Sequence, residues 1–200
     1  MNVPFLERHQ GFKDALSLVL FVALVAIGTI FINTFIFRSF NVEGGSMENT
    51  MHTGDRLIVN RMPVTWSKLQ NKDYSPQRGQ VIVFKNPKFD TISGMEEYIV
   101  KRVIAFAGER VIVKDGGITV CDNKNLNCFN PDDDNNGEPG SPTSGNVDSV
   151  VPEDALFVAG DHRQGQNSLD SRNGLGFIPL YDVVGPVSMR IFPFNGIRSF

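Results

Sequence analysis

The stretch Ala15–Phe37, ALSLVLFVALVAIGTIFINTFIF, carries no charged side chain and is bounded by Asp14 and Arg38. Its 23 residues (37 − 15 + 1) would form a helix of roughly 34 Å, a little more than the roughly 30 Å of a bilayer's hydrocarbon core. A core helix that is apolar on every face would need a larger soluble body around it. A cleaved signal peptide has a shorter apolar run that ends at small residues, whereas this run ends among phenylalanines. The stretch therefore predicts one membrane-spanning helix.

The charges that flank this helix do not set its orientation. Two acidic and two basic residues precede it (Glu7, Arg8, Lys13 and Asp14), and Arg38 follows it. The positive-inside rule therefore favours neither direction. The whole chain has 19 basic and 22 acidic residues, a net charge of −3, which argues against a nucleic-acid partner.

The two cysteines, Cys121 and Cys128, lie close together in a stretch rich in Asn, Asp and Gly. Such a pair suits a disulfide in an oxidising compartment, whereas two ligands alone make a poor zinc site. We therefore expect no metal and no cofactor. The cysteines favour a single-pass protein of the plasma (inner) membrane whose body lies outside the cytoplasm.

After the helix, the pattern changes to short apolar runs bounded by turn residues. Runs of this kind, rich in Val, Ile and Phe, predict strands. We expect a mainly β body tethered by one helix. The predicted strands lie in RLIVN (56–60), GQVIVFKNP (79–87), EEYIVKRVIAF (96–106), ERVIVKDGGITV (109–120), ALFVAGD (155–161) and DVVGPVSMRIF (182–192).

A polar segment interrupts the strand pattern between Asn130 and Ser149, where the acidic run Asp132–Asp134 lies. Composition of this kind predicts a flexible loop. The resulting division is a short tail (1–14), a transmembrane helix (15–37), a β core (38–113 and 150–200) and an inserted subdomain (114–149) that holds the cysteine pair.

Ser46 directly follows two glycines, just beyond the predicted membrane helix. Glycines let the backbone approach a substrate closely, so this serine is a candidate nucleophile. Gly-Gly-Ser alone is more often a plain turn.

Lys101 lies within a predicted strand, where alternation places it on the same face as Ile99 and Val103. A lysine among aliphatic side chains either extends its ammonium group to water or is desolvated. Desolvation lowers the pKa of a lysine from about 10.4 toward the range of a general base.

The segment Phe157–Arg172 begins as a strand and continues as a loop crowded with charged and polar side chains. A polar network is costly unless its groups are all paired, so such a loop usually holds something in place.

The order of these motifs resembles that of the type I signal peptidases, the bacterial leader peptidases that use a Ser-Lys dyad. The resemblance implies a β-rich signal-peptidase-like core with a small inserted β subdomain. It also implies an endopeptidase that removes signal peptides from exported preproteins, with small residues before the cut. The matching segments are GGSMENTMHTGDRLIVN (44–60), YIVKRVIAFAGE (98–109), FVAGDHRQGQNSLDSRNGLGFIP (157–179) and VVGPVSMRIFPFNGIRSF (183–200).

The same resemblance implies a role for individual residues. Ser46 matches the nucleophile, with its backbone N–H as one oxyanion donor, and Lys101 matches the general base. Ser168 matches the serine whose hydroxyl positions the lysine amine. Some relatives have a hydroxyl side chain two places before the nucleophile, where this chain has Gly44. The residues that match the charged network ordering the loop are Arg102, Asp161, Asp170 and Arg172.

Three departures from the family pattern concern the segments around the site. Asn49 stands where proline is usual, His162 replaces asparagine, and Gln164–Gln166 lengthens the loop before Ser168. They leave two other functions open: a Ser-Lys peptidase dedicated to one secretion or pilus precursor, and an inactive relative that binds peptides along a strand edge. A serine-histidine arrangement with His162 as base is less favoured.

Three aromatic residues of the body, Trp66, Phe192 and Phe194, suit either the bilayer surface or the core. Membrane lipid is therefore a predicted partner.

Overall fold

The computed structural model describes residues 10–89, 96–124, 126–133, 139 and 142–200. The predicted N-terminal tail lies outside these ranges as far as residue 9. Residues 134–138, 140 and 141 of the predicted acidic loop also lie outside them.

The predicted apolar helix is present as α1, Gln10–Phe31, and continues as a π-helical turn, Ile32–Ile36. The segment Gly11–Ile36 is long and apolar enough to cross a membrane, with a mean hydropathy of 2.8, and none of it is buried against the body. Phe37, the last residue of the predicted span, is instead the first residue of a strand.

The body is built from short strands, as the apolar runs predict, so the mainly β fold is confirmed. Val, Ile and Phe alternate along these runs between faces that are buried and faces that are less so. In chain order the strands are β1 (Phe37–Asn41), β2 (Arg56–Asn60), β3 (Val81–Lys85), β4 (Tyr98–Phe106), β5 (Arg110–Lys114), β6 (Gly117–Cys121), β7 (Cys128–Phe129), β8 (Val147–Val150), β9 (Ala155–Ala159), β10 (Ile178–Pro179), β11 (Val183–Phe192) and β12 (Arg198–Ser199).

The strands form two sheets of antiparallel neighbours. The larger has the order β1-β2-β11-β3-β4-β9-β10, with β12 paired to β11. The long strand β11 lies between β2 and β3 in this order. Side chains of β1 and β4 nevertheless meet, because the rings of Phe40 and Tyr98 lie 5.1 Å apart.

The smaller sheet has the order β7-β6-β5-β8. Its first strand begins at Arg110, before the predicted insertion (114–149), whose status as a separate subdomain stays a prediction. Cys121 and Cys128 are paired across β6 and β7 and form a disulfide in the structure.

Three apolar clusters make up the core. One of them joins the two sheets, because it contains Val111 and Val120 of the smaller sheet together with Ile104 and Phe157 of the larger. Another lies under the segment that follows β1 and includes Met47, which is fully buried. The insertion is therefore packed onto the same core that supports the candidate site.

A short helix that the sequence pattern did not predict, α2 (Met62–Leu69), follows β2 and begins with Pro63 in its first turn. It lies against the end of the apolar helix, where the hydroxyl of Thr65 donates to the carbonyl oxygen of Phe35 at 3.0 Å. Eight residues are too few for a helical apolar period to stand out in the sequence.

We expect Gly185→Ala to destabilise the body. A Cβ atom at Gly185 in β11 would lie 2.3 Å from the carbonyl oxygen of Asn60. Asn60 is the last residue of β2, so this oxygen cannot move away without disturbing the strand. Overpacking of this kind costs about 1–3 kcal/mol, measurable as a lower midpoint of urea unfolding in detergent. Gly117→Ala is the control, because its new Cβ would meet the nearest backbone oxygen at an ordinary 3.5 Å. Equal midpoints for the two variants would contradict the expected clash.

Candidate active site

Ser46 lies in a turn that the core holds from both sides. The turn leaves β1 through Val42, whose N–H donates to Asp55 O at 2.9 Å. It returns through Met47 and Met51, both fully buried, and Met51 N–H donates to Met47 O at 2.9 Å. Gly44 has a positive φ of 85°, a conformation that favours glycine. The half-buried Ser46 thus lies between two buried residues, Val42 and Met47, that fix the ends of the turn.

Lys101 reaches Ser46 from β4. Its Nζ lies 2.7 Å from Ser46 Oγ and also donates to the carbonyl oxygen of Val100 at 2.9 Å. The side chain is only 3% exposed, in line with the predicted position among aliphatic residues. Burial lowers the pKa of Lys101 to about 8, against the opposing effect of the Asp170 and Asp161 charges. About a tenth of the amine is therefore neutral at pH 7, far more than for a lysine in water.

Two buried ion pairs lie close to Lys101, and their carboxylates act on its pKa. Arg102 grips Asp161 through two hydrogen bonds, Nε to Oδ1 at 2.8 Å and Nη2 to Oδ2 at 2.5 Å. Arg172 grips Asp170 in the same manner, at 3.1 Å and 2.7 Å. Asp161 also accepts the hydroxyl of Thr50 in the Ser46 turn. The structure thus brings all four predicted network residues to the site.

Ser168 is also near the site, but its hydroxyl makes no hydrogen bond. Its Oγ is fully buried and has no partner within the described residues, and no hydrogen bond joins it to Lys101. The serine lies across Gly160 from the nucleophile turn: a Cβ placed on Gly160 would be 2.2 Å from Ser168 Oγ and 2.3 Å from Ser46 O. The assignment of Ser168 as the residue that positions the lysine therefore remains a prediction.

The sequence pattern did not identify Arg163 as a site residue. Its side chain is fully buried, and it donates to Gly160 O at 2.9 Å and to both carboxylate oxygens of Asp132. Asp132 belongs to the acidic run that the sequence analysis assigned to a flexible loop. Only the long-range contact, 31 residues apart, shows that this run pairs with the catalytic loop.

His162 contacts the backbone of the nucleophile turn. Its N–H donates to Ser46 O at 3.1 Å, and its Nδ1 lies 3.2 Å from Gly45 O. Its Nε2 is 3.1 Å from the amide nitrogen of Asn167, within the lengthened loop. Both ring nitrogens therefore have partners other than the Ser46 hydroxyl, which disfavours His162 as the base.

A cleft of about 550 Å³ opens beside Ser46 and Lys101. One wall is the segment from Phe40 to Gly45, and the other is the beginning of β4, from Glu96 to Val100. β9 pairs with β4 only from Arg102 onward, so the first half of β4 has a neighbour on one side alone. The cleft therefore has, along one wall, a stretch of β4 that pairs with a strand on one side only within the described residues.

The match to a family model decides what kind of protein carries this site: the model described as signal peptidase, peptidase S26, matches residues 13–192. The chain belongs to this family. It is therefore a serine endopeptidase of the signal peptidase I type.

Relatives match over nearly the whole chain. Signal peptidase I of Bacillus licheniformis is 32% identical over 96% of this chain and 97% of its own. Signal peptidase I T of Bacillus subtilis is 33% identical over 89% of this chain and 86% of its own. A crystal structure of a signal peptidase I from Enterococcus faecalis matches 56% of this chain and 96% of its own, with 26% identity and a TM-score of 0.41.

Gly160→Ala should lower the rate of the peptidase by about 10²-fold, a larger loss than its effect on stability explains. The new methyl group would push the Ser46 backbone away from the Ser168 segment, and a misplacement of about 1 Å can cost about 10²-fold in rate. The measurement is kcat/KM on a signal-peptide substrate, with circular dichroism to verify the fold. Gly117→Ala, on the smaller sheet, is the control. Full activity in Gly160→Ala would show that the close packing at Gly160 does not set the geometry of the site.

Proposed function

We propose that this protein is a membrane-anchored signal peptidase that cleaves signal peptides from exported preproteins through a Ser46–Lys101 dyad. The observation that carries the proposal is the 2.7 Å contact between a serine hydroxyl and the amine of a buried lysine. The family assignment supplies the reaction class, and this contact supplies the residues for it.

The first step is a proton transfer. Neutral Lys101 accepts the hydroxyl proton as Ser46 Oγ bonds to the scissile carbonyl carbon, which gives a tetrahedral oxyanion and a lysine ammonium. The ammonium then returns its proton to the leaving amine as the C–N bond breaks, leaving an acyl ester on Ser46. Water, deprotonated by the same lysine, hydrolyses the ester and restores the free enzyme.

The oxyanion needs hydrogen-bond donors near Ser46. The backbone N–H of Ser46 donates to no group within the described residues, and Ser46 lines the cleft. We assign it as one donor, which in such sites typically contributes about 3–4 kcal/mol to transition-state stabilisation. Gly44 supplies no hydroxyl for a second.

The substrate would bind as an added strand. The beginning of β4 forms one wall of the cleft and pairs on one side with β3 alone within the described residues, so an extended peptide could add to its other side. This places its scissile carbonyl beside Ser46. The small residues that the family resemblance implies before the cut would face the floor of the cleft, where Leu57 and Val83 lie.

The position of the apolar helix supports action at a membrane. Ser46 lies ten residues (46 − 36) after Ile36, the end of the candidate span, so the site is close to where the chain would leave the bilayer. The disulfide between Cys121 and Cys128 suits the extracytoplasmic side. Signal peptides emerge from the bilayer at that side.

A peptidase with one dedicated precursor is the second candidate. The observation in its favour is the lengthened loop, which places Asn167 in the lining of the cleft and His162 against the Ser46 turn. An inactive binder fits less well, because a buried lysine bonded to a serine hydroxyl is costly and serves no purpose in binding alone. Cleavage of several unrelated preproteins would favour the general enzyme.

Ser46→Ala and Lys101→Ala should each abolish cleavage of a preprotein while preserving its binding. Removal of the nucleophile leaves no acyl acceptor, and removal of a general base typically costs about 10²–10⁴-fold. The assay is product formation in detergent, with binding followed in parallel. Lys114→Ala, which removes a lysine that is largely exposed on the smaller sheet, is the control. Cleavage by Lys101→Ala at the wild-type rate would overturn the dyad.

The rate should depend on pH through Lys101. Only the neutral amine accepts a proton, so kcat/KM should fall about tenfold per unit of pH below the lysine's pKa of about 8 and level off above it. A pH profile measured on wild type and on His162→Gln tests this. The histidine variant should keep the acidic limb at the same position. Loss of that limb in His162→Gln would identify the histidine as the base instead.

A further inference from the structure

Two arginines come together where the apolar helix joins the β body. Arg38 is the second residue of β1, opposite Val59 of β2. Arg61 follows β2, and its backbone N–H donates to Ile36 O at 2.8 Å. Arg61 thus lies opposite Ile36, two residues before Arg38 on the neighbouring strand, and the positive charge of Arg38 acts on its guanidinium.

Neither guanidinium has a carboxylate partner within the described part of the chain. Arg38 donates to the hydroxyl of Tyr98 at 3.0 Å and lies 4.6 Å from the centre of its ring. Glu96, the acidic residue beside Tyr98, is already paired with Lys85. Arg38 therefore keeps most of its five N–H donors for another acceptor.

Arg61 is the more unusual of the two. Its Nε is buried and has no hydrogen-bond partner within the described residues. Burial, together with the positive charge of Arg38, lowers the pKa of Arg61 from its usual value. Two neighbouring cations, one of them with an unsatisfied buried donor, are costly for the protein alone and would be stabilised by an anion.

Helix α2 indicates where that anion comes from. Its exposed face carries Met62, Trp66 and Leu69, at helical spacings of four and three residues, with 53%, 65% and 73% of each residue accessible. Trp66 is therefore not part of the core. Because α2 is hydrogen-bonded to the last turn of the candidate span, this apolar face lies at the level where the span would leave the bilayer. Tryptophan is enriched at that depth.

We propose that Arg38 and Arg61 bind the phosphate of an anionic phospholipid headgroup, while the apolar face of α2 inserts beside it into the same leaflet. Guanidinium groups bind phosphate through paired hydrogen bonds and are desolvated more easily than ammonium groups. The proposal rests on the proposed membrane anchoring, but not on the peptidase chemistry.

The consequence for function follows from Tyr98. This residue packs against Arg38 and also lines the substrate cleft. A lipid phosphate on the two arginines would hold the first half of β4 at a fixed height above the bilayer. The cleft would then be presented to a peptide that has just left the hydrocarbon region.

Trp66 is the only tryptophan of the chain and provides a built-in reporter. The full chain is reconstituted in vesicles of phosphatidylcholine and phosphatidylglycerol, in which either lipid carries brominated acyl chains that quench tryptophan fluorescence. The ratio of the two quenching efficiencies at equal mole fraction gives the local preference for the anionic lipid. We expect a preference of roughly fivefold in the wild type, the usual effect of one juxtamembrane basic residue, or more.

Arg61→Gln should reduce this preference several-fold, whereas Arg56→Gln should keep it. Arg56 is the matched control because it carries the same charge on the same strand, exposed and bonded to Ser39, but five residues (61 − 56), or roughly 17 Å, further from the span. Equal preference in Arg61→Gln and wild type would overturn the proposed site. Quenching by neither lipid would place α2 outside the bilayer and overturn it as well.

Two further arms distinguish the lipid site from a free-phosphate site and from the peptidase chemistry. Inorganic phosphate, added at matched ionic strength, should leave the preference intact, since the lipid is held by its chains as well; its loss would assign the site to free phosphate. Cleavage of a soluble signal peptide in detergent should be the same for Arg61→Gln and wild type. Absence of cleavage in both, with the lipid preference present, would refute the peptidase chemistry and leave the lipid site standing.

Discussion

The low polarity around Lys101 is the constraint on which the rest of the site depends. An ammonium group at this depth would normally call for a counterion, and two carboxylates, Asp161 and Asp170, lie close enough to act on it. Each of them, however, is already held by an arginine in a two-point ion pair. The four charges largely cancel, so burial dominates and the lysine is held ready to lose its proton. Arg172, which holds Asp170, also adds its own charge to the effects that lower the pKa of Lys101.

The sheet order explains how residues far apart in sequence reach this place. Ser46 and Lys101 are 55 residues apart; Lys101 lies in β4, and Ser46 lies in the turn that follows β1. Lys101 lies opposite Ile82, on a strand that is buried along its length, so neither register nor depth can slip without exposing apolar side chains. Catalytic geometry is thus fixed by ordinary strand packing.

Much of this architecture could be predicted from the sequence, and the exceptions have physical causes. The apolar helix follows from an unbroken run of uncharged residues. The strands around Lys101 follow from short apolar runs that are bounded by turn residues. Helix α2 leaves no clear trace, since its eight residues span only about two turns. The pairing of Arg163 with Asp132 was also missed, because an acidic run has the same composition whether it is solvated or matched by a buried guanidinium from a distant loop. Arg61 Nε has no hydrogen-bond partner among the described residues. This depends on which groups surround it in space, which no local pattern of residues reveals.

The Arg163–Asp132 pair couples local unfolding of the insertion to local unfolding of the loop that carries Arg163. If the segment around Asp132 opened alone, it would leave a fully buried guanidinium without its anion, a penalty of several kcal/mol. Local opening of the insertion is therefore coupled to opening of the loop that carries Asp161 and Ser168. The two parts should behave as one cooperative unit in native-state hydrogen exchange, although the paired residues are 31 positions apart in the chain. The described residues around Asp132 should therefore resist cleavage by added proteases as long as the loop that carries Arg163 stays folded.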